Sequence, residues 1–146
     1  MLTLAPGVLG TTFEHLRRCG ADERECVVVW VASIENPDYI DEVLHPAHFA
    51  SAVRCDFDPA WIGELWLDLD HRRRTVRAQV HSHPGCAYHS ARDDQFPLIH
   101  TPGFVSVVIP NFANGHIGLS NAYVTERDGD GGWRHLDAYE AIKEVS

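Results

Sequence analysis

The run Cys26-Val27-Val28-Val29-Trp30-Val31-Ala32 limits most strongly how this chain can fold. It is unbroken in its apolar character, rich in β-branched residues, and lacks the alternation of a half-exposed strand. With Glu25 in front of it, it reads as a strand over Glu25–Val31 that is buried on both faces. Its length is about a third of the roughly 20 residues that a membrane-spanning helix needs. A strand covered on both faces requires a layer above and a layer below, and the sequence offers helices for both. Val8–Cys19 places Leu9, Phe13 and Leu16 on one helical face and stops at Gly20, a residue suited to the left-handed turn after a helix. Asp58-Pro59 sets an N-cap acid before a proline at the first helical position. Trp61, Ile62, Leu65, Trp66 and Leu69 then form an apolar stripe to about Asp70. Trp30, Trp61 and Trp66 are expected in the core.

Further strands follow from shorter patterns. Thr75–His81 alternates with period two, and Phe104–Ile109 and Ile117–Glu126 are apolar runs. Ile40–Leu44 and Phe49–Cys55 read as short strands. Asp128–Gly132 is a turn, Trp133–Leu136 a strand returning from it, and Ala138–Val145 a short helix. Strands interleaved with helices give an α/β or α+β fold, a mixed central β-sheet flanked by helices, with residues 1–146 as a single domain. At 146 residues the chain is long enough to bury a sizeable core without a disulfide or a structural metal.

Charge narrows the choice of partners. Twelve Lys and Arg against 21 Asp and Glu leave a formal charge of -9, which argues against a broad nucleic-acid or anionic-membrane surface. Arg17-Arg18 and Arg72-Arg73-Arg74 are short runs expected on solvated faces. The opening Met-Leu-Thr-Leu-Ala-Pro-Gly has no basic n-region, so no signal peptide is expected and the cytoplasm is the expected compartment. Cys19, Cys26, Cys55 and Cys86 show no C-x-x-C spacing, which removes the zinc-ribbon and thioredoxin-like readings and leaves four reduced thiols. Cys26 is expected to act as a small hydrophobe and Cys86 as a bystander in a loop.

Ten histidines make an H-x-H pair weak evidence, since chance alone supplies one with a probability of about one half. His45 and His48 resemble a pair without other support. Together with His15, His71, His100, His116 and His135 they read as surface or internally satisfied residues. His81-Ser82-His83-Pro84 differs in its surroundings. Residues i and i+2 of a strand share a face, so His81 and His83 can converge on one ion at the end of the Thr75–His81 strand, where Pro84 halts pairing. Ser90-Ala91-Arg92-Asp93 follows, and Asp93 can return a carboxylate to the same point. Two imidazoles and a carboxylate leave a fourth position for water, the pattern of a catalytic zinc. Ser90–Asp93 is equally an ordinary capping pattern, and the two readings are compatible.

His81-Ser82-His83-Pro84 followed by Ser90-x-x-Asp93 resembles the signature of the JAMM (JAB1/MPN+) metalloprotease family. The resemblance covers roughly residues 8–126 and implies a JAB/MPN-like fold with Zn²⁺ as cofactor. It implies that His81, His83 and Asp93 are the metal ligands, that Ser90 steadies the oxyanion, and that a glutamate beginning the buried strand is the general base. By position that glutamate is Glu25. Glu14, Glu23, Glu35 and Glu42 also lie upstream, and the buried strand directly behind Glu25 singles it out. Five residues separate Pro84 from Ser90, which leaves Asp94 open beside Asp93 as third ligand, with S-x-x-D fitting Asp93. Ser82 points to the opposite face and reads as a packing residue.

The same resemblance implies hydrolysis of an amide or isopeptide bond after the C-terminal tail of a ubiquitin-like protein, bound as an added β-strand. Precursor processing and deconjugation both fit, with E1-like and E2-like proteins as companions, as in stand-alone bacterial members. Release of a sulfur-carrier protein is a variant. The alternatives are a non-catalytic MPN-like binding or scaffold module and a zinc hydrolase of a small amide. Segments 34–55 and 100–116 are where residues that grip a substrate are expected.

Overall fold

The computed structural model describes residues 1–21, 24–46, 48–50, 55–85, 87, 99 and 101–145, with only the backbone described for Gly20, Phe49, Ala50, Cys55 and Asp56. Its centre is the apolar run singled out above. β2 (Val27–Ser33) has Val27 through Ala32 buried, and its side chains divide by parity between two cores. Val28, Trp30 and Ala32 pack with Leu9, Phe13 and Leu16 of α1 (Val8–Gly20). Val29 and Val31 pack with Leu65 and Leu69 of α2 (Pro59–Arg72). Among the described residues the sheet thus has a helix on each side, as a non-alternating strand requires.

Local chemistry sets both helices. α1 starts after Gly7, whose φ of 87° lies in the left-handed region that glycine enters without strain. α2 starts where the Asp58 carboxylate accepts the Ala60 N–H at 3.0 Å, with Pro59 in the first turn. The stripe on α2 is narrower than the sequence reading has it. Leu65 and Leu69 are buried and Trp61 and Ile62 pack partly against the core, but Trp66 is 38% exposed and stands outside it.

Among the described residues, eight strands form one mixed sheet in the order β10-β1-β3-β2-β6-β7-β8-β9. The remaining members are β1 (Leu2–Leu4), β3 (Tyr39–Leu44), β6 (Arg74–Ser82), β7 (Val105–Ile109), β8 (Tyr123–Arg127), β9 (Trp133–Leu136) and β10 (Ile142–Glu144). β2 lies antiparallel to both β3 and β6, and β6 lies parallel to β7. A separate pair, β4 (His48–Ala50) and β5 (Cys55–Phe57), is antiparallel.

Three expectations change. Phe49–Cys55, read as one strand, contributes to two. The stretch Ile117–Glu126 is strand only from Tyr123. Helix α3 (Ala138–Ala141), capped by Asp137 on the Tyr139 and Glu140 N–H groups, ends at Ile142 instead of running to Val145. The chain extends there because Ile142 is buried and β10 pairs in parallel with β1, a strand absent from the sequence reading. No helix among the described residues is long and apolar enough to cross a membrane.

Candidate metal centre

β6 positions the histidine pair. Its antiparallel register with β2 sets His81 opposite Val27, and its parallel register with β7 sets His81 opposite Val108. Pairing with β2 continues one step beyond the strand. The Ser82 N–H donates to the Cys26 carbonyl at 3.0 Å, and the Cys26 N–H donates to Ser82 Oγ at 3.0 Å. Ser82 is fully buried and so packs as expected, but its hydroxyl also clamps the segment that carries Glu25.

Beyond the strand, the His83 N–H donates to the Ile109 carbonyl at 2.9 Å, and the His83 carbonyl accepts the Phe112 N–H at 2.9 Å. Asn111 N–H reaches the Gly85 carbonyl at 2.8 Å. Asn111, Phe112 and Ala113 hold φ values of 56°, 52° and 63°, a left-handed turn of three non-glycine residues. Such residues resist that region, and three in a row persist only where surrounding contacts impose it. Here those contacts fix the backbone on either side of Pro84.

Among the described residues, the result is a buried group of three side chains. Glu25, His81 and His83 are 7%, 4% and 3% exposed. His81 Nε2 and His83 Nε2 stand 3.1 Å apart, and Glu25 Oε1 lies 3.8 Å from His83 Nε2. Two imidazole nitrogens this close either share a proton or turn both lone pairs to one cation. The N–N edge of a tetrahedral zinc site built from Zn–N bonds of about 2.0–2.1 Å is roughly 3.4 Å, so the pair suits zinc with little adjustment. The carboxylate beside it suits a base held next to the metal.

Three of the five residues singled out in the sequence thus come together. Ser90 and Asp93, with Asp94 and Cys86, lie outside the described residues, as does Glu23. The other upstream glutamates point elsewhere: Glu14 pairs with Arg18, Glu35 with Arg73, and Glu42 with Arg72 and Arg74. His71 and His116 are exposed, and exposed His135 stacks on Tyr123.

On the other side of the β2 start, a group absent from the sequence reading appears. Cys19, Cys26, His45 and His48 bring one ligand atom each to within 4.8 Å of one another. The expectation of four reduced thiols does not hold for two of them, because Cys19 and Cys26 are joined as a disulfide. Although His45 as a whole is exposed, its ring is stacked on His15 and set edge-on to His48. Desolvation, then His48 and His15, hold its pKa below the usual histidine value. The His45-x-x-His48 spacing was the one legible sign of this group.

A buried pair of imidazoles beside a carboxylate, at the end of a strand in a mixed sheet, has donors and a base suited to a metallohydrolase centre. Comparison with known proteins gives the class. No family model matches the chain. The probable metalloprotease y4jG of Sinorhizobium fredii is 32% identical over 133 residues, which span 88% of this chain and 82% of the relative. AF2198, a JAB1/MPN domain protein from Archaeoglobus fulgidus, shares the fold with a TM-score of 0.56, 17% identity, and coverage of 99% of this chain and 97% of its own. A structure described as JAMM, a metalloprotease-like zinc site in the proteasome and signalosome, superposes with a TM-score of 0.54, 16% identity, and coverage of 100% and 99%. The chain belongs to the JAMM metalloprotease family.

Proposed function

We propose that the protein is an isopeptidase or peptidase that cuts the amide bond after the C-terminal tail of a ubiquitin-like protein, with His81, His83 and Asp93 as its zinc ligands. The observation that carries the site is the buried convergence of Glu25, His81 and His83, with the two Nε2 atoms 3.1 Å apart. When bound, zinc supplies Lewis acidity, which polarises a scissile carbonyl and lowers the pKa of water.

The protein's own residues do the rest. The Glu25 carboxylate takes a proton from the attacking water and returns it to the departing amine, the two halves of general acid–base catalysis. Its burial excludes competing solvent, and the Ser82–Cys26 clamp holds its backbone. Ser90 donates a hydrogen bond to the oxygen that gains charge. Membership in the JAMM family supports the ubiquitin-like substrate class, which implies E1-like and E2-like companions and a cytoplasmic setting; precursor processing and deconjugation are both served by one cut.

Zinc content and cleavage of a ubiquitin-like fusion test this reading together. Glu25→Ala is expected to keep its zinc and lose turnover by roughly 10²–10⁴-fold. His83→Ala is expected to lose both the turnover and about one zinc per chain. An active His83→Ala protein lacking that zinc would overturn the assignment.

A further inference from the structure

Four side chains from separate stretches of the chain meet on the α1 side of the sheet, away from the centre described above. Cys19 lies near the end of α1, Cys26 immediately before β2, His45 immediately after β3, and His48 at the start of β4. Cys26 Sγ is 3.2 Å from His45 Nε2, and Cys19 Sγ is 3.2 Å from His48 Nε2. Each sulfur therefore faces the same nitrogen of a different imidazole.

The histidine that can be oriented is oriented for ligation. His48 Nδ1 lies 2.7 Å from the Pro46 carbonyl, an acceptor only, so Nδ1 carries the proton and donates it there. That leaves the Nε2 lone pair aimed at the sulfurs. Imidazole donating its far nitrogen to a carbonyl is the usual support of a metal-ligating histidine. The sulfurs of a disulfide carry no proton to donate, so the disulfide gives the His48 Nε2 lone pair no hydrogen-bond partner. Two thiolates and two imidazoles, by contrast, are the complete donor set of a closed structural zinc site. With Zn–S of about 2.3 Å and Zn–N of about 2.0–2.1 Å, the sulfur–nitrogen edges of such a tetrahedron are roughly 3.6 Å, close to the two Sγ–Nε2 spacings of 3.2 Å.

We propose that Cys19, Cys26, His45 and His48 form a second, structural zinc site when the Cys19–Cys26 pair is reduced. A dithiol reductant supplies the two electrons and two protons that open the disulfide, and is itself oxidised to a disulfide. Zinc then displaces the two thiol protons and binds two thiolates and two neutral imidazoles. All four positions are filled by protein, so the site holds structure and leaves no place for water. It ties the end of α1 to the start of β2 and to the turn between β3 and β4. Cys26 directly follows Glu25, and the two face opposite sides of the sheet, so the site braces from behind the residue that the proposed reaction uses as base.

The test is read on full-length protein purified in reductant and dialysed. Wild type is expected to hold about two zinc ions per chain, and Cys19→Ser and His81→Ala/His83→Ala about one each. Replacing zinc by cobalt gives an independent reading, because only a site with sulfur ligands shows a thiolate-to-cobalt charge-transfer band. That band is expected in wild type and in His81→Ala/His83→Ala, and absent in Cys19→Ser. If Cys19→Ser does not fold, the band in the double histidine variant and its loss in His48→Ala carry the same information. No band in reduced wild type, or a Cys19–Cys26 disulfide that survives reductant in the native protein, overturns the second site. A zinc content unchanged by His81→Ala/His83→Ala overturns the catalytic centre instead, and leaves the cobalt result to stand for the second site.

Discussion

At the scale of single residues, Ser82 does more than fill space between two histidines. Its side chain accepts the Cys26 N–H and its backbone N–H donates to the Cys26 carbonyl, so one residue binds both polar groups of the residue that follows Glu25. Ser82→Ala removes the acceptor and leaves a buried N–H without its partner, a loss of about 1–3 kcal/mol. Urea unfolding is expected to show that loss, with zinc content retained and kcat reduced as Glu25 gains freedom. Unchanged kcat together with unchanged stability would dismiss the clamp. His81 and His83 were legible in the sequence because a strand puts alternate residues on one face and Pro84 marks its end. Of Cys19, Cys26, His45 and His48 only the His45-x-x-His48 spacing gave a sign, because the four gather from separate elements and no two of them share a strand's periodicity.

At the scale of elements, β2 was the most legible part because both of its faces are apolar, a pattern that allows few other placements. The short strands at the sheet's edge gave no such signal. β1 and β10 are three residues each, too short for a period to show, and pairing identifies them, β10 with β1 and β1 in turn with β3. The contact between α1 and β2 was legible as hydrophobic packing, yet a polar link is built into it. The Trp30 indole N–H donates to Thr12 Oγ1 at 2.8 Å, and the Thr12 hydroxyl donates to the Val8 carbonyl at 2.8 Å. Thr12→Val keeps the shape, strands the buried Trp30 N–H and is expected to cost about 1–3 kcal/mol. In a Trp30→Phe background the same change should cost less, since no donor remains to be stranded. A double-mutant cycle in urea measures the coupling, and simple additivity would show that the hydrogen bond contributes nothing.

At the scale of the whole molecule, one sheet end serves two clusters set back to back. Glu25 and Cys26 are neighbours in the chain and face opposite ways, so the histidine pair of β6 gathers on one side and the cysteine–histidine group on the other. The two clusters should differ in what they contribute to stability. A closed four-ligand site joins α1, β2 and the β3–β4 turn, and its binding free energy becomes folding free energy. The proposed catalytic site would draw two of its ligands, His81 and His83, from a strand and a strand end already locked in the sheet. Zinc present at a hundred times its dissociation constant adds about 2.7 kcal/mol to stability, which for a domain of this size is a shift in Tm on the order of 5–10 °C. In reduced protein, a chelator is therefore expected to lower the Tm of both wild type and His81→Ala/His83→Ala, and by more in wild type, which loses zinc from both sites. In Cys19→Ser the chelator should have a much smaller effect, from a lower starting Tm. Differential scanning calorimetry with and without chelator separates these cases. A drop in Tm that follows His81 and His83 instead of Cys19 would mean that the catalytic centre, not the group behind it, holds this end of the sheet together.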